Sequence, residues 1–435
     1  MATVHAVFVG CKVSQADRDA ALAELARAGH VPVMRAADAE VCVVMSCCVT
    51  AEAERKSRQL ARRLAAGGRP VLVAGCAAVY RPQQFGNGGV FTVPRGQVTA
   101  AVQRLARKES AAAGSVAAAD SQNGKQAPAA GAPVRQRTRL TLKVQDGCNG
   151  ACTYCAVRLV RGPLWSLALA DAVQAARAGL AAGCGEVVVS GVNLGLYNDG
   201  ERDLGDLVVA LTALPELARL RLSSIEAVHL TPRLLAALAH PHVARHLHVP
   251  LQSADDGVLA AMGRPYTFGA YRERMRAVRS ALGDAMISTD VIIGHPAEDE
   301  AAFGRTMQAI DERDGLFGRV HVFAYSPRPG TAAAGLAPLP AAELKRRRSA
   351  ALAAARATQA AAARGTLGRP LRVMVEDRVD GLWRGYSSEY TRCYLEGAAV
   401  PGRMVDAVAS AEYRDGIRGT IAEPGGRRPL DWEMA

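Results

Sequence analysis

Three closely spaced cysteines, Cys148, Cys152 and Cys155, constrain this chain more than any other feature of its sequence. Cysteines in such a C-x3-C-x2-C array are typical of a metal site, and both structural zinc sites and iron–sulfur clusters normally use four ligands. A zinc site would need another Cys or His nearby, but the next cysteine, Cys184, lies beyond a predicted helix. A 4Fe–4S cluster can leave one of its irons open for a substrate or cofactor. The spacing therefore favours a cluster over structural zinc, and either of them over buried cysteines without a metal.

The composition limits the size, the compartment and the partners of the protein. Its 435 residues are enough for about three domains of ~150 residues. Lysine and arginine outnumber aspartate and glutamate by 53 to 41, and this surplus favours a polyanionic partner, although general solubility would explain it equally well. The first residues, MATVHAVFVGCK, contain no basic leader, and no apolar stretch approaches the ~18 residues that cross a bilayer. We therefore expect a cytoplasmic protein without membrane contact, whose cysteines bind metals rather than form disulfides.

The N-terminal segment alternates short apolar runs with amphipathic stretches, a pattern typical of a parallel α/β sheet. The runs cover 4–10, 41–46 and 70–75, and the helices are predicted at 15–29 and 51–66. A cysteine follows each run: Cys11, Cys47 and Cys76. Because the carboxyl ends of parallel strands share one edge of a sheet, we expect these three side chains to converge. Ordinary strand-end cysteines are the alternative.

From about residue 138 to residue 335 the alternation is regular. Strands are predicted at 140–145, 186–190, 219–224, 246–249, 286–292 and 320–324, with helices near 167–182, 205–214, 232–240, 255–282 and 299–312. Six strand–helix units predict an incomplete (β/α)6 barrel, in which chemistry occurs at the carboxyl ends of the strands. The triad that begins at Cys148 directly follows the first strand. His246 and His248 alternate on the fourth strand, and we expect both to be structural.

The remaining segments predict a linker and a third folded unit. Residues 108–137 are poor in large apolar residues and predict a flexible linker, and 341–366 predict a helix between domains. Beyond 369, short strands with Gly and Asp predict a small antiparallel β-barrel. Its aromatic residues would either stack on nucleic-acid bases or pack in the core; they are Trp383, Tyr386, Tyr390 and Tyr394. The predicted domains are 1–107, 138–366 and 367–435, with the linker at 108–137.

Several motifs occur in a fixed order along the chain. They are VGCKVSQAD, SCCVTAEAERKSRQ, VAGC, QDGCNGACTYC, SGVNLGLY, LHVPLQSADDGVL, STDVIIGHPAED and HVFAYSPRPGT. Together they resemble the radical S-adenosylmethionine (radical SAM) methylthiotransferase family over essentially the whole chain apart from the linker. The C-terminal barrel resembles the TRAM domain of that family, an RNA-binding module. The resemblance implies an α/β fold with a parallel N-terminal domain, a partial (β/α)6 radical SAM barrel and a small β-barrel.

The first, second and fifth motifs resemble the branch that acts on N6-threonylcarbamoyladenosine beside the tRNA anticodon. The resemblance implies an enzyme that forms the 2-methylthio derivative of this nucleoside by radical C–H activation and sulfur insertion. Three alternatives remain at this point. They are methylthiolation of isopentenyladenosine in tRNA, methylthiolation of an aspartate in a ribosomal protein, and a non-catalytic RNA-binding protein stabilised by metal.

The resemblance also implies roles for individual residues. Cys148, Cys152 and Cys155 would hold a 4Fe–4S cluster that binds S-adenosylmethionine and generates a 5′-deoxyadenosyl radical. A second 4Fe–4S cluster, which supplies or carries the sulfur, would be held by Cys11, Cys47 and Cys76. Contacts to S-adenosylmethionine are expected from Tyr154, Gly191, Asn193, Glu226, Gln252 and Asp290. The implied partners are tRNA, a reducing electron donor such as flavodoxin or ferredoxin, and the iron–sulfur assembly machinery.

Some positions depart from the family pattern. Met45 and Ser46 stand where Asn and Thr usually precede the second cysteine, and Cys48 lies beside Cys47. Arg158 and Trp165 replace a usual Pro and Arg. These changes put the surroundings of both triads and the substrate branch in doubt.

Overall fold

The computed structural model describes residues 1–86, 88–107, 138–283, 285–311, 313 and 315–422. The predicted linker at 108–137 lies outside the described residues, as does the end of the predicted C-terminal domain, 423–435.

The N-terminal unit is a parallel sheet with helices, as the apolar runs predict, but the described residues form five strands where the runs predict three. Its strands are β1 (Thr3–Phe8), β2 (Val31–Pro32), β3 (Val41–Ser46), β4 (Val71–Gly75) and β5 (Val90–Thr92), in the order β2-β1-β3-β4-β5. Its helices are α1 (Lys12–Arg27), α2 (Ala51–Ala65), α3 (Cys76–Tyr80) and α4 (Val98–Ala106). Every residue of β3 and β4 is buried, as expected for strands of a parallel sheet that is covered on both faces. Because β1, β3 and β4 are neighbours, the segments that follow them lie at one edge.

The central unit has six parallel strands that form an incomplete barrel. They are β6 (Arg139–Lys143), β9 (Glu186–Ser190), β10 (Arg219–Leu222), β11 (His246–His248), β12 (Met286–Ile293) and β13 (Arg319–Ala324), and a hairpin adds β7 (Gln145–Asp146) and β8 (Trp165–Ser166). The sheets β10-β9-β6 and β11-β12-β13 are joined by parallel bridges, one of them from Ser224 to His248. The predicted α/β fold class and the six predicted strands are therefore confirmed.

In the described part of this unit, seven α-helices accompany these strands. They are α5 (Val157–Arg161), α6 (Leu169–Ala181), α7 (Leu204–Thr212), α8 (Pro232–Leu238), α9 (Asp256–Ala261), α10 (Phe268–Leu282) and α11 (Glu300–Ala309). The prediction of one helix over 255–282 is wrong, because α9 ends before Gly263, whose φ of +71° is left-handed. Pro265 follows, and the Thr267 side chain accepts a hydrogen bond from the backbone N–H of Ala270 to begin α10.

A long helix, α12 (Ala341–Arg364), leads into a closed C-terminal barrel. Its strands are β14 (Pro370–Val379), β15 (Leu382–Ser387), β16 (Arg392–Glu396), β17 (Met404–Tyr413) and β18 (Gly416–Ile421). The predicted small barrel is confirmed with one difference. The pairing of β16 with β18 is parallel, whereas the other pairings are antiparallel.

The turn between β15 and β16 packs against the base of the central barrel. Arg219 and Arg221 form ion pairs with Glu186 and also donate hydrogen bonds to backbone carbonyls of the C-terminal unit. One of these bonds joins Arg221 Nη2 to the carbonyl oxygen of Ser387 at 3.0 Å. Tyr390 stacks on His246 with ring centroids 4.7 Å apart. Glu186, Arg219 and His246 are the first residues of β9, β10 and β11, so they lie at the amino ends of the central strands. The small barrel is therefore fixed at the end of the central barrel opposite the carboxyl ends of these strands.

The aromatic residues of the small barrel are mostly engaged in packing. Tyr386 stacks on Tyr390 in the interface, and Tyr394 is buried. Trp383 is half-buried and donates to the carbonyl of Gly397 at 3.1 Å. Of the two interpretations left open by the sequence, packing applies to these side chains better than base stacking.

Buried ion pairs join the N-terminal unit to the top of the central barrel. Arg328 donates to Glu54 at 2.8 Å, and Arg161 donates to Asp17 at 2.8 Å. Removing one partner of such a buried pair typically costs about 3–5 kcal/mol, so these contacts hold the two units in one arrangement. None of the helices in the described ranges is long and apolar enough to cross a membrane.

Candidate active site

The loop with Cys148, Cys152 and Cys155 lies at the carboxyl end of the first barrel strand. Gly150 lies at its centre, where its N–H is 3.3 Å from the Cys148 sulfur. A Cβ at Gly150 would lie 3.3 Å from that sulfur and 3.9 Å from the sulfur of Cys152. The loop therefore wraps closely around the space between these thiols, and a side chain at its centre would intrude on it.

A second segment holds this loop from the side of α9. Thr153 donates from its backbone to Met262 at 3.0 Å. A Cβ at Gly263 would lie 2.6 Å from the carbonyl oxygen of Ala151, so only glycine fits there. The next residue, Arg264, is buried, donates to the Cys152 sulfur at 3.4 Å and pairs with Glu226. Glu226, predicted to contact S-adenosylmethionine, thus reaches the triad through Arg264.

Cys11, Cys47 and Cys76 converge at the edge of the N-terminal sheet. Cys47 and Cys76 directly follow β3 and β4, and a Cβ at Gly10 would lie 2.8 Å from the Cys47 sulfur. Burial raises the pKa of Cys47 to about 12, and the neighbouring thiols of Cys76 and Cys11 add to the effect. Coordination to a metal would offset this penalty, because a bound thiol is deprotonated outright.

Cys48 acts on the same triad as a hydrogen-bond partner. It lowers the pKa of Cys76, and Arg161 acts in the same direction. Its own pKa is raised by this hydrogen bond and by burial. A lowered pKa suits a thiol that is to bind a metal, so these directions favour Cys76 rather than Cys48 as a metal ligand.

The spacing of the sulfur atoms distinguishes a cluster from a single zinc ion. Four sulfurs at ~2.3 Å from one zinc lie about 3.8 Å from one another. Within the part of the chain that the structure describes, neither triad has all three sulfurs within 4.8 Å of one another. The described sulfurs of each triad are therefore too widely spaced for one tetrahedral zinc ion.

A cleft of about 130 Å³ lies between the central barrel and the N-terminal unit. The barrel contributes Tyr154, Cys155, Gln252 and Asp290 to its lining, and the N-terminal unit contributes Cys48. Three of the predicted contacts to S-adenosylmethionine thus lie in the cleft, and Gln252 adopts a left-handed φ of +72° there. The cleft gives a substrate access to the space between the cysteine sites.

Gly191 and Asn193 lie beside the cleft rather than in its lining. A Cβ at Gly191 would lie 2.9 Å from the Gln145 side chain, so this glycine serves packing. Gln145 accepts from the backbone N–H of Asn193 at 2.9 Å and donates to the carbonyl of Gly147 at 2.8 Å. Asn193 Oδ1, like the hydroxyls of Ser190 and Ser223, is buried without a partner among the described residues. Such orphaned polar atoms fit a bound polar cofactor.

Asp290 is held by two histidines from the flanking strands. His248 Nε2 lies 2.9 Å and His321 Nδ1 lies 3.0 Å from Asp290 Oδ1. Burial alone would raise the pKa of Asp290, but these hydrogen bonds outweigh it, so the carboxylate remains ionised. The prediction that His246 is structural fits its hydrogen bond to Ser288 at 2.8 Å, whereas His248 belongs to this polar group at the cleft.

Two family models match the chain. One describes the radical SAM superfamily and covers residues 142–310, and the other, "Uncharacterized protein family UPF0004", covers residues 3–89. The threonylcarbamoyladenosine tRNA methylthiotransferase MtaB of Thermotoga maritima is 33% identical over 77% of each chain. This chain belongs to the radical SAM methylthiotransferase family. The enzymes of this family use S-adenosylmethionine and 4Fe–4S clusters.

Other members of the methylthiotransferase family match at similar identity. MtaB of Bacillus subtilis is 31% identical over 77% of this chain and 76% of its own. The tRNA-2-methylthio-N(6)-dimethylallyladenosine synthase of Novosphingobium aromaticivorans is 30% identical over 95% of this chain and 96% of its own. The solved radical S-adenosylmethionine methyltransferase TsrM of Kitasatospora setae has a TM-score of 0.57 at 13% identity, covering 76% of this chain and 74% of its own. That likeness concerns the fold alone.

Sequence reasoning missed several residues of this methylthiotransferase site. Gln145, Arg161 and Arg264 contact the cysteine loops although none of them was predicted as a site residue. Gln145 adjoins the cysteine motif and Arg264 follows a Gly in the turn after α9, so both positions offered a local signal. The pairing of Arg161 with Cys76 joins residues 85 positions apart and had no such signal.

Proposed function

We propose that this protein converts N6-threonylcarbamoyladenosine in tRNA to its 2-methylthio derivative. The structural observation that carries the proposal is the cleft between the two units, which is lined by Cys155 of the barrel triad and by Cys48, the neighbour of Cys47 in the other triad. The choice of nucleoside is supported by the names of the Thermotoga maritima and Bacillus subtilis relatives.

In this proposal the two triads hold separate 4Fe–4S clusters. Cys148, Cys152 and Cys155 hold one, and Cys11, Cys47 and Cys76 hold the other. When bound, the clusters and S-adenosylmethionine supply the radical and the transferred sulfur. The protein residues fix the distance between the centres and exclude water from the cleft.

Polar residues at the strand ends orient S-adenosylmethionine in this proposal. Asn193 offers an unpartnered carbonyl oxygen, and Asp290 offers an ionised carboxylate fixed by His248 and His321. Tyr154 and Gln252 line the cleft and contact the cofactor directly. Glu226 acts indirectly, through its ion pair with Arg264, and Gly191 acts by allowing close packing against Gln145.

Dimethylallyladenosine (isopentenyladenosine) in tRNA is the second candidate substrate. The observation that favours it is the match to the Novosphingobium aromaticivorans synthase, which covers more of both chains than the MtaB matches do. The MtaB of Thermotoga maritima is nevertheless more similar in sequence, at 33% against 30% identity. We therefore place threonylcarbamoyladenosine first.

The remaining partners and the location follow from this chemistry. A reducing protein such as flavodoxin or ferredoxin supplies electrons, and the iron–sulfur assembly machinery loads the clusters in the cytoplasm. The C-terminal domain predicted at 367–435 serves as a TRAM-like RNA-binding domain, and the excess of 53 basic over 41 acidic residues supports binding of a polyanion.

Nucleoside mass spectrometry tests the substrate. In tRNA from a strain that lacks the gene, we expect 2-methylthio-N6-threonylcarbamoyladenosine to disappear and its unthiolated precursor to accumulate. Restoring the gene should restore the product. An unchanged amount of this product, with loss of 2-methylthio-isopentenyladenosine instead, would assign the protein to the second substrate.

A further inference from the structure

Arg161 connects the two cysteine sites. It is the last residue of α5, the short helix that follows Cys155, and its side chain is only 2% exposed. Its Nε lies 3.1 Å from the sulfur of Cys76, in the other triad. Its Nη1 contacts Asp17 at 2.8 Å and Asp146 at 3.3 Å. Asp146 in turn precedes Cys148 by two residues, so a single guanidinium touches a ligand candidate of one site and the loop of the other.

The charges around Arg161 are balanced before any cluster is considered. Lys143 lies 2.7 Å from Asp17 and 3.1 Å from Asp146, so two cations face two carboxylates. The sulfur of Cys76 lies within hydrogen-bond reach of Arg161 and would be an additional negative group once it is bound to a metal. A hydrogen bond from a cation to a thiolate is stronger than one between neutral groups.

Arg95 supplies a further cation at the same place. It is 6% exposed, and neither Nη1 nor Nη2 has a hydrogen-bond partner among the residues that the structure describes. Its charge lies within electrostatic range of Cys76, Asp17 and Asp146. Two buried guanidinium nitrogens without an acceptor among the described residues are costly, so they are suited to an additional anion at the N-terminal triad.

We propose that Arg161 and Arg95 are positioning residues that raise the reduction potential of the cluster held by Cys11, Cys47 and Cys76. The proposal rests on the proposed function, because it requires that cluster. Positive charge and hydrogen bonds to the sulfurs favour the more negative, reduced state of an iron–sulfur cluster. Because Arg161 also holds the loop before Cys148, it links the position of one site to the charge of the other.

The test is an EPR-monitored redox titration of the N-terminal cluster without S-adenosylmethionine. The full chain is used with Cys148, Cys152 and Cys155 replaced by alanine, so that this cluster is observed alone. Arg161→Met and Arg95→Met should each shift the midpoint potential to a more negative value. Arg161→Lys keeps the charge and should shift it less than Arg161→Met does.

Matched variants separate this effect from loss of folding and from net charge. Arg63→Met removes an exposed cation of α2 and should leave the midpoint unchanged. Arg95 forms no ion pair with any residue that the structure describes, so Arg95→Met tests the proposal even where Arg161→Met fails to fold. Unchanged midpoints in Arg95→Met and Arg161→Met, with about four irons retained, would overturn the inference alone. Absence of any cluster in the background protein would overturn both the inference and the proposed function.

Discussion

Two adjacent cysteines at the end of β3 have different surroundings. Cys47 lies under Gly10, and its pKa is raised by burial and by the thiols of Cys76 and Cys11. Cys48 lines the cleft and lowers the pKa of the Cys76 thiol. We propose that Cys47 belongs to the triad and that Cys48 acts on Cys76 from outside it.

Iron analysis of two alanine variants tests this division. We expect Cys47→Ala to lose about four of about eight irons per chain after anaerobic reconstitution, because one cluster loses a ligand. Cys48→Ala should retain the full complement, because it removes only a donor to Cys76. If Cys48→Ala lost iron and Cys47→Ala retained it, Cys48 would be the cluster ligand instead of Cys47.

At the scale of elements, the turn between α9 and α10 supports the loop of the barrel triad. Gly263→Ala would place a methyl group 2.6 Å from a backbone oxygen of Ala151, at a left-handed φ. Because backbone atoms cannot move aside cheaply, we expect loss of iron from this site and destabilisation by about 1–3 kcal/mol. Iron content and urea unfolding measure the two effects.

Gly283→Ala provides the matched control for this turn. Gly283 also has a positive φ, +60°, but a Cβ there would meet no atom of the described residues within 4 Å. We expect only the cost of a backbone conformation that favours glycine, about 1–3 kcal/mol, with full iron content. Equal iron loss in both glycine variants would show that general destabilisation, rather than the contact with Ala151, controls the loop.

The elements that the sequence predicts well are those with local signals. The fully apolar β3 and the regular alternation from 138 to 335 identify strands, and strand ends locate the cysteines. The break at Gly263 has a local signal in Gly-Arg-Pro, but the apolar pattern continues through it. The pairings of Arg161 with Cys76 and of Tyr390 with His246 join distant segments, so only the folded arrangement reveals them.

At the scale of the whole molecule, Glu186 is the anion of the junction between the two barrels. It is fully buried and accepts from Arg219 and Arg221, which also bind the turn of the small barrel. Burial alone would raise its pKa, but Arg219, Arg221 and Arg139 lower it to about 2. Because this value lies below that of an unfolded glutamate, the stabilisation is present above about pH 4.5 and is lost as the pH falls towards 2.

Urea unfolding of the cluster-free protein between pH 3 and pH 6 measures this contribution. Glu186→Gln should lower the free energy of unfolding at pH 6 by about 3–5 kcal/mol, because it leaves buried arginines uncompensated. It should also reduce the dependence on pH in the acid range. Glu216→Gln, at an exposed position, should change neither quantity. An unaltered pH dependence in Glu186→Gln would contradict the assigned role.

The central claim is that one chain carries two cysteine sites with different tasks across a shared cleft. The most direct measurement follows 5′-deoxyadenosine and the methylthiolated nucleoside in the same reaction with tRNA and S-adenosylmethionine. Cys152→Ala should abolish both products, whereas Cys76→Ala should retain some 5′-deoxyadenosine and form no methylthiolated nucleoside. Equal loss of both products in the two variants would contradict the division of tasks.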